Sequence, residues 1–233
     1  MKRVGHKGAD LVAPGNTLAS FEAALRTGVD MIEFDVLRTC DGRLVLAHDY
    51  GDAAKREPIT LEEGLDHFAG EAYASVELDV DLKLPGYERE VVEGLRDRAL
   101  LERAIVSSTY LESLDLVGEL APGTRRGWSV PRASRDYTKS ALAVPAYAVL
   151  RYMRARLPRR AKALLLAHRF EAVMAHWRLV SPRLVKAARE AGGQVYAWTV
   201  DDRDRIARLA ALGVDGVITN DPRLFSEDLA ETA

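Results

Sequence analysis

Short apolar runs rich in β-branched residues alternate with amphipathic segments along almost the whole chain. Such runs, bounded by polar or glycine-containing loops, predict strands, and apolar residues spaced three and four apart predict helices. Strands that alternate with helices predict a parallel sheet, and eight such units fit a (β/α)8 TIM barrel, an α/β fold, as a single domain over residues 1–233. The predicted strands are residues 3–6, 31–36, 75–83, 104–108, 126–130, 171–175, 194–200 and 216–219.

A ninth alternating run, residues 44–48, does not fit this alternation. It follows the second strand directly through Asp41 and Gly42, a tight-turn pair. A parallel neighbour would need a crossover of about a dozen residues. The run is therefore predicted to be the return arm of a β-hairpin that extends strand two beyond the barrel rim and carries His48 and Asp49 at its end.

Charged residues recur on the predicted strands with a period of two. Glu33 and Asp35 share one face of strand two, because successive side chains of a strand point to opposite sides. On strand three Asp79, Asp81 and Lys83 alternate with apolar residues in the same way. Active sites of such barrels lie at the carboxyl ends of the strands. These groups are therefore expected to meet at one rim, together with the residues that follow strand one and the hairpin arm.

The residue types at this rim indicate phosphate chemistry. Three carboxylates without a cysteine suit a hard divalent cation such as Mg²⁺ or Ca²⁺. Two histidines, His6 and His48, can act as general acid and base near neutral pH. Two lysines, Lys7 and Lys83, supply the positive charge that a phosphate requires beside a metal. Any one of these pairs alone is a weak signal, and their convergence on one barrel face makes the prediction.

Composition narrows the class of protein. Apolar residues make up 48% of the 233 residues, enough for a substantial core, and the formal net charge of −2 gives no indication of nucleic-acid binding. The single cysteine, Cys40, excludes an intramolecular disulfide framework. Neither a signal peptide nor a run of about 18 apolar residues is present, so a cytoplasmic protein is expected.

One segment, residues 137–170, contains no acidic residue. Within it, apolar residues recur at helical spacing from Ala146 to Leu157, with Arg151 and Arg154 off that face. Two interpretations stay open: an elongated surface helix with a solvated basic face, or a helix that makes peripheral contact with an anionic membrane. The basic residues are Lys139, Arg151, Arg154, Arg156, Arg159, Arg160, Lys162 and Arg169.

Several motifs, in order, resemble the glycerophosphodiester phosphodiesterase family. The opening segments GHKGADLVAPGNTLASFEAAL, IEFDV and CDGRLVLAHD are similar to the family's His-Arg-Gly strand end, Pro-Glu-Asn-Thr loop, Glu-Leu-Asp-Val strand, Asp-Gly turn and His-Asp pair. Asp81-Leu82-Lys83 resembles the family's Glu-x-Lys strand. The closing segments AWTVDD and LGVDGVITNDP are similar to its Trp-Thr-Val and Gly-Val-Asp-Gly patterns. These matches span residues 4–222.

The resemblance implies a barrel enzyme that cleaves a phosphodiester to release glycerol 3-phosphate and an alcohol. It implies an acid/base pair in His6 and His48, a divalent-metal site, phosphate contacts and a pocket wall. The implied metal ligands are Glu33, Asp35 and Asp81, the phosphate contacts are Lys7 and Lys83, and the pocket residue is Trp198. Asn16, which can cap the first helix as Thr17 can, is also expected to face the site.

The chain departs from the family pattern at four points. Lys7 replaces an arginine, so the bidentate contact of a guanidinium group with phosphate is lost. Gly15 stands in place of a glutamate. Asp81 is one methylene shorter than the family's glutamate, which leaves Asp79 as an alternative ligand. Only 11 residues separate His48 from Thr60, where many members carry a small subdomain. The pocket is therefore expected to be open. Lysophospholipids or sphingolipids are alternative substrates, and a headgroup-binding protein without turnover is the non-enzymatic alternative.

Overall fold

Eight parallel strands close into a barrel, which confirms the predicted (β/α)8 fold. The structure, a computed structural model, describes residues 1–132 and 143–226, with side chains from residue 147 onward in the helix that starts the second part. The barrel strands are β1 (Lys2–Gly5), β2 (Met31–Arg38), β4 (Glu77–Leu82), β5 (Ala104–Ser108), β6 (Arg125–Val130), β7 (Ala172–His176), β8 (Gln194–Trp198) and β9 (Gly216–Thr219). The first of them, β1, pairs in parallel with both β2 and β9, and this pairing closes the sheet.

The additional strand β3 (Leu44–Leu46) forms the predicted hairpin. It runs antiparallel to the end of β2, with Val36 opposite Leu46 and Arg38 opposite Leu44. The turn is closed by a hydrogen bond from the Thr39 amide to the Arg43 carbonyl, 2.9 Å, and Gly42 adopts a φ of +89°, which a residue with a side chain rarely tolerates. From β3 the chain reaches the next barrel helix through one four-residue helix, α2 (Tyr50–Ala53).

The barrel helices begin where the capping residues predict. Thr17, not Asn16, caps the first helix, and it forms a capping box with Ser20. Thr60 caps the third helix in the same way with Glu63. The segment that follows β9 forms a single 3-10 turn, Pro222–Phe225. The helices are α1 (Leu18–Arg26), α3 (Leu61–Phe68), α4 (Glu88–Asp97), α5 (Leu111–Leu120), α6 (Ala143–Leu166), α7 (Pro182–Glu190) and α8 (Arg203–Leu212).

Apolar side chains seal the barrel at its amino-terminal end. Met31, Ile105, Met174 and Tyr196 point inward from four strands and are almost fully buried. Below them, Glu77 pairs with Lys2 and with Arg125 at 2.6 Å. Two apolar layers between the strands and the helices complete the core. The described residues therefore leave the interior accessible at the carboxyl ends of the strands.

Helix α6 is much longer than its neighbours. It has 24 residues, whereas the other barrel helices have 8 to 10. Leu157, Ala161 and Leu165 are buried against the barrel, and Leu150 and Met153 are partly buried. Val149, predicted on the same apolar face, is 58% exposed because this half of the helix extends past the strands. The predictions for Tyr137, Lys139 and the side chain of Ala146 lie outside the described residues.

Candidate active site

Three carboxylates predicted as metal ligands lie together at the top of the barrel. The parallel register places Asp35 of β2 opposite Asp81 of β4, so their side chains are neighbours on the inner face. Oxygen atoms of Glu33, Asp35 and Asp81 all lie within 4.8 Å of one another. Glu33 and Asp35 are buried, and Asp81 is partly exposed. The alternation of acidic and apolar residues on two neighbouring strands thus produces one acidic cluster.

Lys83 is the principal counter-charge of this cluster. Its Nζ lies 2.7 Å from Asp35 Oδ1 and 2.7 Å from Asp81 Oδ2. Burial alone would lower the pKa of Lys83, but the carboxylates around it, Asp35 first, raise that pKa well above its ordinary value. Burial alone would likewise raise the pKa of Asp35, and Lys83 is the main cause that instead lowers it. Asp35 is therefore held as a buried anion.

Asn16 fixes the orientation of Asp35. Its side-chain amide donates to Asp35 Oδ2 at 2.8 Å, and its carbonyl oxygen accepts from the Asp35 backbone at 3.1 Å. The other oxygen, Asp35 Oδ1, is buried and lies 2.7 Å from Lys83 Nζ. A carboxylate oxygen has two lone pairs, so Oδ1 can accept a cation beside the ammonium group.

The donor set fits a hard divalent cation. It consists of carboxylate oxygens alone, which Mg²⁺ and Ca²⁺ prefer. Burial and the nearby charges of Asp35 and Asp79 raise the pKa of Glu33 well above its ordinary value. A cation beside Glu33 would favour the ionised carboxylate, since opposite charge stabilises it. When all three acids are ionised, the cluster has two more negative charges than Lys83 alone can balance.

His6 lies beside the acidic cluster and is held from the far end of the chain. Its Nε2 is 3.8 Å from Glu33 Oε2, and its Nδ1 is 2.6 Å from Asn220 Oδ1. The Asn220 amide donates to Asp201 Oδ2 at 2.7 Å, and a carboxylate can only accept. Asn220 must therefore turn its carbonyl oxygen to His6, so His6 carries a proton on Nδ1.

The environment of His6 favours its neutral form. Burial lowers the pKa of His6, and the charge of Asp35 opposes this shift only in part. With the proton on Nδ1, the lone pair of the neutral ring lies on Nε2, the atom nearest the acidic cluster. His6 therefore has a proton-accepting atom next to the predicted metal ligands.

His48 reaches the same pocket from the hairpin arm. It follows β3 by two residues, and its Nδ1 lies 3.0 Å from Asp49 Oδ2. Asp49 also caps the short helix α2 by accepting from the Asp52 amide at 2.8 Å. The side chain of His48 is half exposed. One hairpin therefore contributes two metal-ligand candidates and an acid/base candidate, as the sequence indicates.

Lys7 occupies a different position from the one predicted. Its backbone amide donates to Glu33 Oε2 at 2.7 Å, while its Nζ donates to Asp10 at 3.3 Å. Asp10 also accepts from the Gly15 amide at 2.8 Å, and a Cβ atom at Gly15 would lie only 2.5 Å from Asp10 Oδ1. Asp10 thus fills the space of a side chain at position 15 and provides an acidic group there.

A pocket of about 440 Å³ opens at this end of the barrel. It is lined on one side by His6, His48 and the acidic residues, and on the other by Met174, Trp198 and Ile218. The Trp198 Nε1 donates to the Met174 carbonyl at 2.8 Å, which fixes the indole in the wall. Lys83 lines the pocket as predicted, whereas Lys7 and Asn16 are not among the residues that line it.

Asp79 lies opposite Glu33 in the strand register, one inward-facing position deeper than Asp35 and Asp81. It accepts a hydrogen bond from Ser107 at 2.6 Å. Burial and the charge of Asp81 raise the pKa of Asp79 to about 7, although Ser107 opposes the shift. The three carboxylates that lie within 4.8 Å of one another include Asp81 and exclude Asp79, so geometry favours Asp81 as the third ligand.

Four residues of the site were not identified from sequence. Asn220 and Asp201 orient His6, Asp10 pairs with Lys7, and Ser107 binds Asp79. Three of them fall within quoted motifs: Asp10 in GHKGADLVAPGNTLASFEAAL, Asp201 in AWTVDD and Asn220 in LGVDGVITNDP. Their position after strand ends was the available signal. Single polar residues on separate loops form no periodic pattern, and only the folded barrel shows that they meet.

Comparisons with known proteins agree with this geometry. The model of the glycerophosphoryl diester phosphodiesterase family matches residues 6–57 and 59–224. A glycerophosphodiester phosphodiesterase of Caldanaerobacter subterraneus subsp. tengcongensis is 28% identical in an alignment of 251 positions. The alignment covers 94% of this chain and 93% of that protein. A second relative, glycerophosphodiester phosphodiesterase GDPD4 of Arabidopsis thaliana, is 28% identical over 96% of this chain and 73% of its own length.

Solved structures share the fold. A glycerophosphodiester phosphodiesterase from Parabacteroides distasonis superposes with a TM-score of 0.73 at 21% identity, covering 95% of this chain and 93% of that one. A phosphodiesterase from Oleispira antarctica, solved with the product sn-glycerol 3-phosphate, gives a TM-score of 0.69 at 22% identity over 96% and 94% of the two chains. The resemblance seen in the motifs is thereby confirmed. The chain belongs to the glycerophosphoryl diester phosphodiesterase family, a family of phosphoric diester hydrolases.

Proposed function

We propose that the protein hydrolyses glycerophosphodiesters to glycerol 3-phosphate and an alcohol, with His6 and His48 as the acid/base pair. One observation carries the proposal: one pocket of a family barrel is lined by two histidines, by Lys83 and by two carboxylates of the acidic cluster, Glu33 and Asp81. A phosphodiester needs positive charge on its nonbridging oxygens and proton transfer at two oxygens. The residues of this pocket can provide both.

His6 is proposed to be the general base. Asn220 holds the proton on Nδ1, so the neutral ring presents Nε2 as an acceptor to the attacking water or to a neighbouring hydroxyl of the substrate. His48 is proposed to be the general acid. As an imidazolium it donates one proton to Asp49 and can give the other, on Nε2, to the leaving alcohol oxygen.

The acidic cluster is proposed to hold one divalent cation, Mg²⁺ or Ca²⁺, through Glu33, Asp35 and Asp81. When bound, such a cation neutralises negative charge on phosphoryl oxygens. Lys83 contributes positive charge at the same place and is the proposed phosphate contact. Lys7 is proposed to act indirectly, because its amide orients Glu33 and its ammonium faces Asp10. Trp198 and Met174 offer an apolar wall to the carbon atoms of the substrate.

Turnover of glycerophosphocholine and of lysophosphatidylcholine, each with and without EDTA, tests this proposal. We expect hydrolysis of glycerophosphocholine that EDTA abolishes and that added Mg²⁺ or Ca²⁺ restores. His6→Ala and His48→Ala should each lower kcat by about two to four orders of magnitude. His168→Ala, an exposed position beyond the amino-terminal end of β7, is the matched control and should keep wild-type turnover.

Near-wild-type turnover in both active-site histidine variants, with normal thermal unfolding, would exclude His6 and His48 as the acid/base pair. Binding of glycerophosphocholine without any turnover, under all metal conditions, would instead support a headgroup-binding protein. EDTA-resistant hydrolysis would exclude the proposed cation.

A lysophospholipid substrate is a second candidate, favoured by the short connection after His48. Only α2 and two loops join β3 to α3, so the structure has no inserted subdomain over this side of the mouth. An acyl chain could leave the pocket there without a steric barrier. If lysophosphatidylcholine is hydrolysed with a higher kcat/KM than glycerophosphocholine, the lysophospholipid is the preferred substrate.

A further inference from the structure

The amino-terminal half of α6 projects past the rim of the barrel at the mouth of the pocket. Helix α6 connects the top of β6 to the bottom of β7, so its first residues lie at the pocket end. Arg154 donates to the Arg178 carbonyl at 2.7 Å, just beyond the end of β7. Residues 147–153 therefore lie above that level, and at 1.5 Å per residue they extend roughly 10 Å further.

The projecting half carries exposed apolar and aromatic side chains. Tyr147 is 46% exposed, Val149 58% and Tyr152 60%. Only Leu150 and Met153 on the opposite face are partly buried against the second apolar layer. Apolar and aromatic side chains cost free energy when they face water. Two tyrosines and a valine exposed on one short stretch therefore indicate a surface that contacts another phase or molecule.

Arginines surround these side chains. From residue 147 to residue 170 the sequence has seven basic and no acidic residues, in a chain whose formal net charge is −2. Lys162 and Arg169, at the lower end, are paired with Glu190 and Asp115. Among the described residues, no carboxylate forms an ion pair with the arginines of the upper part, Arg151, Arg154, Arg156, Arg159 and Arg160. Arg156 instead lies over the Tyr152 ring at 5.2 Å.

We propose that this surface, defined by Tyr147, Val149, Arg151, Tyr152 and Arg156, docks the protein on an anionic phospholipid bilayer. Arginines meet the negative headgroups, and tyrosine and valine side chains enter the boundary between headgroups and acyl chains. Exposed valine would gain little from a nucleic acid, whose phosphates would recruit the arginines alone. The membrane would then lie at the end of the barrel where the pocket opens.

The docking is peripheral. None of the helices in the described ranges is long and apolar enough to cross a membrane. Binding should therefore depend on ionic strength and on lipid charge, since each arginine near an anionic surface contributes roughly fivefold in affinity. The proposal is independent of the catalytic roles above, because these side chains are not among those that line the pocket.

Co-sedimentation with vesicles tests the surface. The full chain is mixed with vesicles at low and at high salt. The vesicles consist either of pure phosphatidylcholine or of phosphatidylcholine with about 30% phosphatidylglycerol. We expect binding to the anionic vesicles that high salt reverses, and little binding to the neutral ones. The double variant Val149→Ser/Tyr152→Ser and the variant Arg151→Glu/Arg156→Glu should each reduce binding about tenfold or more.

Matched controls separate this surface from general charge and polarity. Arg26→Glu at the last residue of α1 and Leu116→Ser in the middle of α5 change exposed residues of similar type away from the mouth and should bind as the wild type does. All variants should hydrolyse soluble glycerophosphocholine at the wild-type rate. Absence of binding to anionic vesicles at low salt would overturn the proposal. So would equal loss in the control variants, or RNA binding that the arginine variant loses while vesicle binding is unchanged.

Discussion

The two sides of the barrel wall differ in chemistry. On β1, β2 and β4, which are adjacent in the sheet, the residues at the upper end are charged or titratable, and the buried carboxylates lie here. On β7, β8 and β9 the residues that line the pocket are Met174, Trp198 and Ile218. We call these the charged wall and the apolar wall. Concentrating the charges on neighbouring strands allows them to compensate one another, which isolated buried charges could not do.

The charged wall and the apolar wall are expected to have different roles in the reaction. The charged wall, built from the first third of the chain, would carry out proton transfer and hold the phosphate. The apolar wall would position the carbon part of the substrate, and β9 and the loop after β8 would orient His6. Substitutions in the two walls should therefore have different kinetic signatures.

The largest effect is expected from Asp35→Asn in the charged wall. The substitution removes a buried negative ligand and leaves Lys83 with a single close carboxylate, Asp81. We expect kcat/KM for glycerophosphocholine to fall by about a hundredfold or more. The rise in melting temperature that Mg²⁺ or Ca²⁺ should cause in the wild type should also disappear. Asp41→Asn in the exposed hairpin turn is the control; if it behaves like Asp35→Asn, the cluster has no special role.

A smaller loss is expected where the two walls meet, at Asn220. Asn220→Leu removes the acceptor for His6 Nδ1, a hydrogen bond worth about 1.4 kcal/mol, so kcat should fall about tenfold while KM changes little. Nitrogen NMR of the histidine ring should show the Nδ1-protonated tautomer in the wild type and loss of that preference in the variant. An unchanged tautomer together with unchanged kcat would contradict the orienting role.

The apolar wall should show an effect on KM. Trp198→Phe keeps an apolar ring but loses the hydrogen bond to the Met174 carbonyl. We expect KM to rise about threefold, consistent with the loss of roughly one modest hydrogen bond, with kcat within about twofold of wild type. Trp177→Phe, a tryptophan that does not line the pocket, is the matched control. A drop in kcat without a change in KM would assign Trp198 to the chemistry instead.

At Asp79 the expected effect is on stability. Its pKa is about 7 in the folded protein and near 3.8 ordinarily, so between these values the unfolded chain has lost a proton that the folded protein retains. The free energy of unfolding should therefore fall as pH rises from about 4 to about 7, and this contribution is constant above. Asp79→Asn should reduce that slope in the presence of EDTA. Urea unfolding at about pH 4.5 and about pH 7.5 measures the slope. Equal slopes in variant and wild type would contradict the raised pKa.

The sequence predicts the frame of the molecule because its pattern is local. Residues 104–108 and 216–219 are strands with the predicted bounds, and the other strands differ at their ends by one or two residues. Buried parallel strands need continuous apolar runs, which are visible in a single sequence. The hairpin was predictable for the same reason, since a tight turn without a helix excludes a parallel strand.

The charged wall was predictable and the contacts between distant loops were not. Glu33, Asp35 and Asp81 follow from a period of two on strands whose order the fold fixes. In contrast, Asn220 and Asp201 act through hydrogen bonds that depend on where two loops end. The direction of the Lys7 side chain also depended on Asp10, three residues away, in a loop without regular structure. Such contacts follow from tertiary geometry and produce no periodic pattern in the sequence.

The closure of the barrel between β1 and β9 has a consequence for the synthesis of the protein. His6 is translated more than two hundred residues before its backbone and ring partners, Thr219 and Asn220, and the paired side chains are 214 residues apart in sequence. Long-range contacts of this kind form late in folding. A nascent chain should therefore remain inactive until β9 and Asn220 have emerged, so that hydrolysis itself reports a closed barrel.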